Sequence, residues 1–261
     1  MKARSRLSAQ LWTDFERTGV LRLPGFLPAR DADAMAEAIW SDLARRFAID
    51  LRRAETWTVQ RPGQFQALVR SGAFGSLGSA ELCKLADEFF GAGGWKVPRW
   101  WGQPLVTFPS GGAWDVPHAT WHLDLPASDS LEDLPAIRVF AFLEPVAPEG
   151  GGTPFVAGSH RVVMDRARQA RRGQALRSAD MRDLLKAEEP WLAALCSAGG
   201  RDRVARFMQT WGTMRGTPVR VEEMTGEPGD IIIMHPATFH TVAPNGLDRP
   251  RLMLVETIYR R

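Results

Sequence analysis

From Pro104 onward the chain is a succession of short apolar runs broken by turn signals, and this rhythm restricts its fold more than any other feature. Leu105-Val106-Thr107-Phe108, residues 136–143, 153–157, 219–221, 231–235 and 252–258 are each rich in β-branched or aromatic side chains. The segments Pro148 to Gly152 and Glu227-Pro228-Gly229-Asp230 supply turns between them. Strands at such short spacing favour a barrel or jelly roll, because parallel βαβ units need a crossover helix between strands. The expected fold is mainly β with flanking helices, in one domain spanning residues 1–261.

The flanking helices are legible at the start. Ser8 is placed to cap a helix running to Thr18, with Leu11 and Phe15 on one face and Gly19 as its stop. A strand over 20–23 and the turn Pro24 to Pro28 lead to a second helix in which Met35, Ile39, Leu43 and Phe47 recur every four residues. Residues 49–103 predict a short strand at Trp57-Thr58-Val59, helical pieces near 64–71 and 79–90, and a tryptophan cluster at 95, 100 and 101. Residues 161–216 read as a helical insertion, either a lid or an oligomer contact. In the strand at 136–143, Arg138, Phe140 and Phe142 share one face, which is expected to point at a cavity.

The 33 basic and 30 acidic residues leave a net charge of +3, too balanced for a nucleic-acid footprint, so no nucleic-acid partner is expected. Arginine clusters at 45–46, 52–53 and 166–172 read as solvated helix faces. No apolar run approaches the roughly 18 residues of a membrane span. The basic residues 1–6 lead into a polar amphipathic segment, so a cytoplasmic location is expected. Cys83 and Cys196 have no partner at zinc spacing and read as buried free thiols. Nothing in the sequence indicates an oligomeric state.

The chemistry lies in His122-Leu123-Asp124. In an extended strand, side chains two apart share a face, so this imidazole and carboxylate would meet one metal ion. A non-haem Fe(II) oxygenase needs two imidazoles and one carboxylate on one face of an octahedron, leaving the other face for cosubstrate and dioxygen. The second imidazole must come from His118, His160, His235 or His240. His240 follows the turn and strand that begin at Pro228. Arg251, on the next strand, is placed to hold the distal carboxylate of 2-oxoglutarate, since a guanidinium fork grips a carboxylate through two parallel hydrogen bonds. Arg249 is the rival cation.

In order along the chain, His122-x-Asp124, Gly151-Gly152-Thr153-Pro154-Phe155-Val156-Ala157-Gly158-Ser159-His160, Pro228-Gly229-Asp230, His240, Pro244-Asn245 and Arg249-Pro250-Arg251 resemble the phytanoyl-CoA dioxygenase family. The opening Phe15 to Leu27 resembles that family's first helix and strand. The resemblance implies a double-stranded β-helix holding Fe(II) and 2-oxoglutarate and using O2, with His122, Asp124 and His240 as metal ligands. It favours Arg251 as anchor, eleven positions beyond His240; His235 would leave sixteen. The implied reaction decarboxylates 2-oxoglutarate to succinate and CO2 and hydroxylates a small-molecule substrate; the similar halogenating enzymes lack the carboxylate found at Asp124. Arg138 and Phe140 are candidates to touch cosubstrate, and His118, Trp121 and Trp101 to touch substrate. The tryptophans favour an apolar or ring-bearing substrate, with Arg61, Arg138 or His118 to meet an acidic group. His160 is expected to brace the helix after it, and Asn245 its own turn. Two rival readings are a catalytically silent jelly roll and a cupin-type metalloenzyme that uses no keto acid.

Overall fold

The computed structural model describes residues 7–126, 133–169 and 175–261; the basic residues 1–6 and the arginines at 171 and 172 lie outside the described residues. The first helix, α1 (Ala9–Thr18), begins where the Leu11 amide donates to Ser8 Oγ and ends at Gly19 with φ +79°. A side chain at Gly19 would clash as well as strain, since a Cβ would lie 2.5 Å from Thr238 Oγ1 and 2.6 Å from His160 Nδ1. After β1 (Val20–Leu23) come α2 (Ala29–Phe47), α3 (Gln66–Arg70) and α4 (Ala80–Phe90).

The remaining strands are β2 (Gln103–Thr107), β3 (Ala136–Phe142), β4 (Pro154–Ala157), β5 (Gly212–Met214), β6 (Thr217–Glu223), β7 (Ile231–Met234) and β8 (Arg251–Tyr259). They form a larger antiparallel sheet in the order β1-β7-β3-β8-β2 and a smaller one in the order β4-β6-β5. Two single-residue rungs extend the smaller sheet, His240 bridging Phe155 and His122 bridging His240. Val20, Phe140, Phe142, Met234 and Met253 from the larger sheet pack on Phe155 and Ala157 from the smaller one. Two antiparallel sheets closed over a shared interior make the fold a double-stranded β-helix, mainly β with flanking helices.

Alternation along β3 decides which helices cover which face. Ile137, Val139 and Ala141 point outward with Leu21, Ile233 and Leu254, and meet Met35, Ile39, Leu82 and Phe89 of the N-terminal helices. Each large apolar side chain buried there contributes roughly 1.5–3 kcal/mol of transfer free energy. The smaller sheet is covered by α5 (Ser159–Arg168), α6 (Ser178–Glu188), α7 (Pro190–Leu195) and one π-turn, Ala205–Gln209. Met181, Leu185, Leu192 and Phe207 pack there on Val156, Val219 and Phe239. The segment read as a helical insertion is thus the outer layer of the smaller sheet, and it ends in β5 as a strand.

Two other expectations change. Trp57-Thr58-Val59 is not a strand: a 3-10 turn over Ala54–Thr56 precedes it, and the Trp57 indole donates to the Asp50 carbonyl at 2.9 Å. Residues with high strand propensity stay irregular where no neighbouring edge pairs with them. The stretch 115–124 is also irregular, apart from the rung at His122. Cys83 and Cys196 are free and half-buried.

His160 and His235 lock the N-terminal helix to the sheets. His160 Nε2–H donates a hydrogen bond to the Glu16 carbonyl at 3.1 Å, and the His235 amide donates to the Gly19 carbonyl at 2.8 Å. The two rings lie 5.2 Å apart and both are buried. Burial lowers His160 to about 4 and His235 to about 3. Both stay neutral in the folded chain while the unfolded chain gains protons below its ordinary histidine value, so stability is lost as the pH falls from about 6.5 towards 4. Denaturant unfolding at stepped pH should show a loss of roughly 2–3 kcal/mol per histidine by pH 4, and a His235→Phe variant should lose less than the native chain over the same interval.

Candidate metal centre

The loop that carries His122 and Asp124 is held by groups distant in sequence. Arg203 is 5% exposed and donates to the carbonyls of Val116 (3.0 Å), Pro117 (3.2 Å), Leu195 (2.8 Å) and Ser197 (3.1 Å). The Trp121 indole donates to Pro117 at 3.0 Å, and the Leu123 amide to Ser178 Oγ at 2.7 Å. Thr120, at φ +60°, turns the backbone just before His122 and bonds Thr241 through its hydroxyl at 2.7 Å. On the other segment, the Phe239 amide donates to Ser159 Oγ at 2.9 Å, fixing the approach to His240. The amides of His122 and His240 each donate to the other's carbonyl, at 3.0 and 3.1 Å.

That rung brings the two imidazoles to a 4.3 Å centroid separation, and one potential ligand atom from each of His122, Asp124 and His240 lies within 4.8 Å of the others. His122 Nδ1 lies 2.8 Å from the Thr120 carbonyl and His240 Nδ1 3.0 Å from that of Thr238. A carbonyl can only accept, so each Nδ1 carries the proton and each Nε2 keeps its lone pair for the site. Burial, and then the neighbouring His240 ring, which disfavours a second positive charge, hold His122 below its ordinary value and leave it neutral. Burial would raise Asp124, but its contact with His240 and the neighbouring Arg138 guanidinium and His122 ring outweigh this and keep it ionised. Asp124 Oδ2 is buried 3.4 Å from His240 Nε2 and 3.1 Å from Arg138 Nε, and accepts no well-directed hydrogen bond among the described residues. Two imidazoles that each leave Nε2 free towards the site and a carboxylate with an unused oxygen fit a divalent metal.

Two arginines reach the interior. Arg138 on β3 adjoins Asp124, donates to Thr257 Oγ1 at 2.8 Å and lies 5.7 Å from the Phe140 ring centre. Arg251 opens β8, is 5% exposed, and donates to Thr107 Oγ1 at 2.8 Å and Thr153 Oγ1 at 3.4 Å. Its Nε has no partner, and it forms no ion pair among the described residues. Burial lowers this guanidinium to about 10, so it remains charged at neutral pH. Glu223, the carboxyl whose charge it feels, is raised to about 7 by its own burial, against donation from the amides of Glu149 and Gly152. A buried cation without a full counter-ion is costly and well disposed to an anionic ligand. Arg249 is exposed on the outer surface.

The other candidates lie elsewhere. Trp121 is 1% exposed in the apolar layer beneath the smaller sheet, so it cannot line a substrate cavity. Trp101 packs on the N-terminal core and covers Gly78. His118 is exposed on the loop before the site, and Arg61 donates to the Ala243 carbonyl at 3.0 Å. His160 and His235 stand together away from the cluster of His122, Asp124 and His240. Asn245 is buried and ties its turn to the carbonyls of Arg249 and Thr107. Sequence reasoning missed Arg203, Ser178, Thr107, Thr153 and Glu223. Only Thr107 and Thr153 left a signal, as hydroxyls inside apolar strand runs.

No helix among the described residues is long and apolar enough to cross a membrane. No curated protein matches the chain in sequence. Among solved structures, the non-haem α-ketoglutarate-dependent epimerase SnoN from nogalamycin biosynthesis matches 96% of this chain and 84% of its own, with a TM-score of 0.52 and 19% identity. The carbocyclase SnoK from the same biosynthesis matches 98% and 84%, with 0.53 and 17%. HygX from Streptomyces hygroscopicus, solved with nickel and 2-oxoglutarate, matches 97% and 87%, with 0.53 and 16%. At these identities the likeness is one of fold. The phytanoyl-CoA dioxygenase family model matches residues 15–253. A match that takes in β1 to β7, the start of β8, the three clustered side chains and Arg251 makes the chain a member of the phytanoyl-CoA dioxygenase family, whose members are iron- and 2-oxoglutarate-dependent oxygenases.

Proposed function

We propose that this protein is a dioxygenase that hydroxylates a small molecule while converting 2-oxoglutarate to succinate and CO2. The observation that carries the reading is the pairing of two complementary sites in one barrel: a donor set of His122, Asp124 and His240, and a buried Arg251 with unfilled hydrogen-bonding capacity. Fe(II) held by those three side chains would bind the keto-acid end of the cosubstrate and supply the activation of dioxygen. The chain's own groups bind, orient and exclude water. Thr120 and Thr238 aim the imidazoles, and Arg138 steadies the Asp124 carboxylate. Arg251, oriented by Thr107 and Thr153, receives the distal carboxylate in a setting where a charged hydrogen bond is strengthened by desolvation. Phe140 and its apolar neighbours keep the interior dry. Residues 1–261 act in this reading as one oxygenase domain.

Oxygen-dependent release of succinate from 2-oxoglutarate tests the reading and separates it from both a silent jelly roll and a keto-acid-independent cupin. It should be present in the native chain and abolished in Asp124→Ala, which should still melt cooperatively. Arg251→Gln should raise the KM for 2-oxoglutarate by about thirtyfold, the loss of roughly 2 kcal/mol of charged hydrogen bonding. Arg251→Lys should recover little of it, because a point charge does not replace a planar fork. If KM is unchanged in Arg251→Gln, the anchor is assigned wrongly.

The carboxylate at Asp124 keeps that metal position from being left to a halide. With chloride added in excess, mass spectrometry of the product should show a gain of oxygen, or loss of two hydrogens if the outcome is desaturation. A chlorinated product would refute the assignment.

A further inference from the structure

A groove of about 710 Å³ opens at the barrel mouth beside Arg138. Its floor includes Leu105 and Val255, interior-facing side chains of β2 and β8 that pack with the cluster between the sheets. Its outer wall is the segment 96–102, which β8 pins at both ends: the Lys96 amide donates to the Tyr259 carbonyl at 2.8 Å and the Gly102 amide to Glu256 Oε2 at 2.8 Å. Arg138 lines the groove while its Nε lies 3.1 Å from Asp124 Oδ2, so the inner end of the groove abuts the candidate metal centre.

Cations outnumber carboxylates along this groove, Lys96, Arg99 and Arg138 against Glu256. Lys96 and Arg99 are exposed on its wall, and neither forms an ion pair among the described residues. The carboxylate within it, Glu256, is occupied, since Oε2 accepts from Gly102 and Oε1 from Thr257 at 2.9 Å. Arg138 is held by Asp124 and Thr257, which leaves Lys96 and Arg99 as the cations available to a ligand. Beside them Trp100 is 41% exposed, with the Arg99 guanidinium 5.4 Å from its ring centre. An exposed indole next to unpaired cations suits a planar ring that carries an oxyanion.

Resting on the oxygenase reading above, we propose that this groove is the substrate subsite and takes a small molecule bearing a carboxylate or phosphate on a planar apolar ring. Lys96 and Arg99 bind the anion, Trp100 stacks the ring, and the Arg138 end presents the carbon to be oxidised to the metal centre. The substrate therefore approaches along the β2–β8 edge and reaches the centre from the side of Asp124.

Calorimetric titration of the full chain with 1-naphthoate, 1-naphthyl phosphate and neutral 1-naphthamide tests this directly, without turnover. Both anions should bind at least about tenfold more tightly than the amide, a difference of roughly 1.4 kcal/mol. The double variant Lys96→Gln/Arg99→Gln should erase that preference while leaving the amide's affinity as it was, and Trp100→Ala should weaken all three probes. Because these side chains are exposed, thermal melts should match the native chain. Equal binding of the three probes, or a charge preference that survives the double variant, overturns the proposal. So does sedimentation showing a dimer that Trp100→Ala dissolves, which would assign the face to a second copy of this chain. Succinate release, measured in parallel with iron and 2-oxoglutarate, separates the two readings. Release without a charge preference overturns the subsite alone; a charge preference without release supports an anion site and overturns the oxygenase reading. Tighter binding of the phosphate than of the naphthoate identifies the head group as phosphate, and the reverse as carboxylate.

Discussion

The reciprocal backbone pair between His122 and His240 is the contact on which the site depends. It closes two hydrogen bonds between residues 118 positions apart. Such a long loop closure carries a large entropic cost, met here by the packing around it and not by the rung itself. Arg203 and Ser178 hold one side, Ser159 and the Phe155 bridge the other. Since both Nδ1 atoms face carbonyls of their own chain segments, the ring orientations are set before any ligand arrives. A cluster prepared in this way loses little side-chain entropy on binding, which is how a scaffold turns three ordinary side chains into a cation site.

Charge inside the barrel is distributed with a matching logic. The donor set places a carboxylate between two imidazoles, while Arg251 brings a cation that its neighbours only partly compensate. Glu223 could have neutralised it, yet its oxygen Oε2 is occupied by the Glu149 amide and burial pushes the carboxyl towards the protonated form. Thr107 and Thr153 orient the guanidinium without cancelling its charge. A salt bridge there would stabilise the empty barrel and compete with an incoming carboxylate, so hydroxyl partners are the arrangement compatible with binding.

What the sequence disclosed follows from how local each feature is. The N-terminal helix was legible because Ser8 and Gly19 act on their own helix ends, and β7 and β8 because runs such as Ile231 to Met234 fit only a buried strand. The side chains that the structure brings together, His122, Asp124 and His240, were legible as chemical types in order, with Arg251 beyond them. The conformation of 115–124 was not: it is dictated by Arg203, which lies 87 positions from the carbonyl it binds at Val116, and no local pattern encodes that clamp. Trp121 misled for the same reason. Its place beside a ligand suggested a cavity wall, whereas alternation in that loop turns it away from His122 and into the layer under the smaller sheet. At Trp57, propensity alone was read as a strand where no edge was available for pairing.

The two helical layers divide the work between rigidity and access. Helices α5 to α7 seal the smaller sheet and clamp the ligand loop, so motion there would disturb the metal donors directly. The N-terminal helices cover the outer face of the larger sheet, leaving its inner face for Arg138, Phe140 and Arg251. At the β2–β8 edge, where the 96–102 segment is tied to β8 at two points, the barrel meets solvent beside the donor set. Changes along that segment can therefore alter what enters the groove without disturbing the clustered side chains of His122, Asp124 and His240, which are held from the opposite side by Arg203 and Ser178.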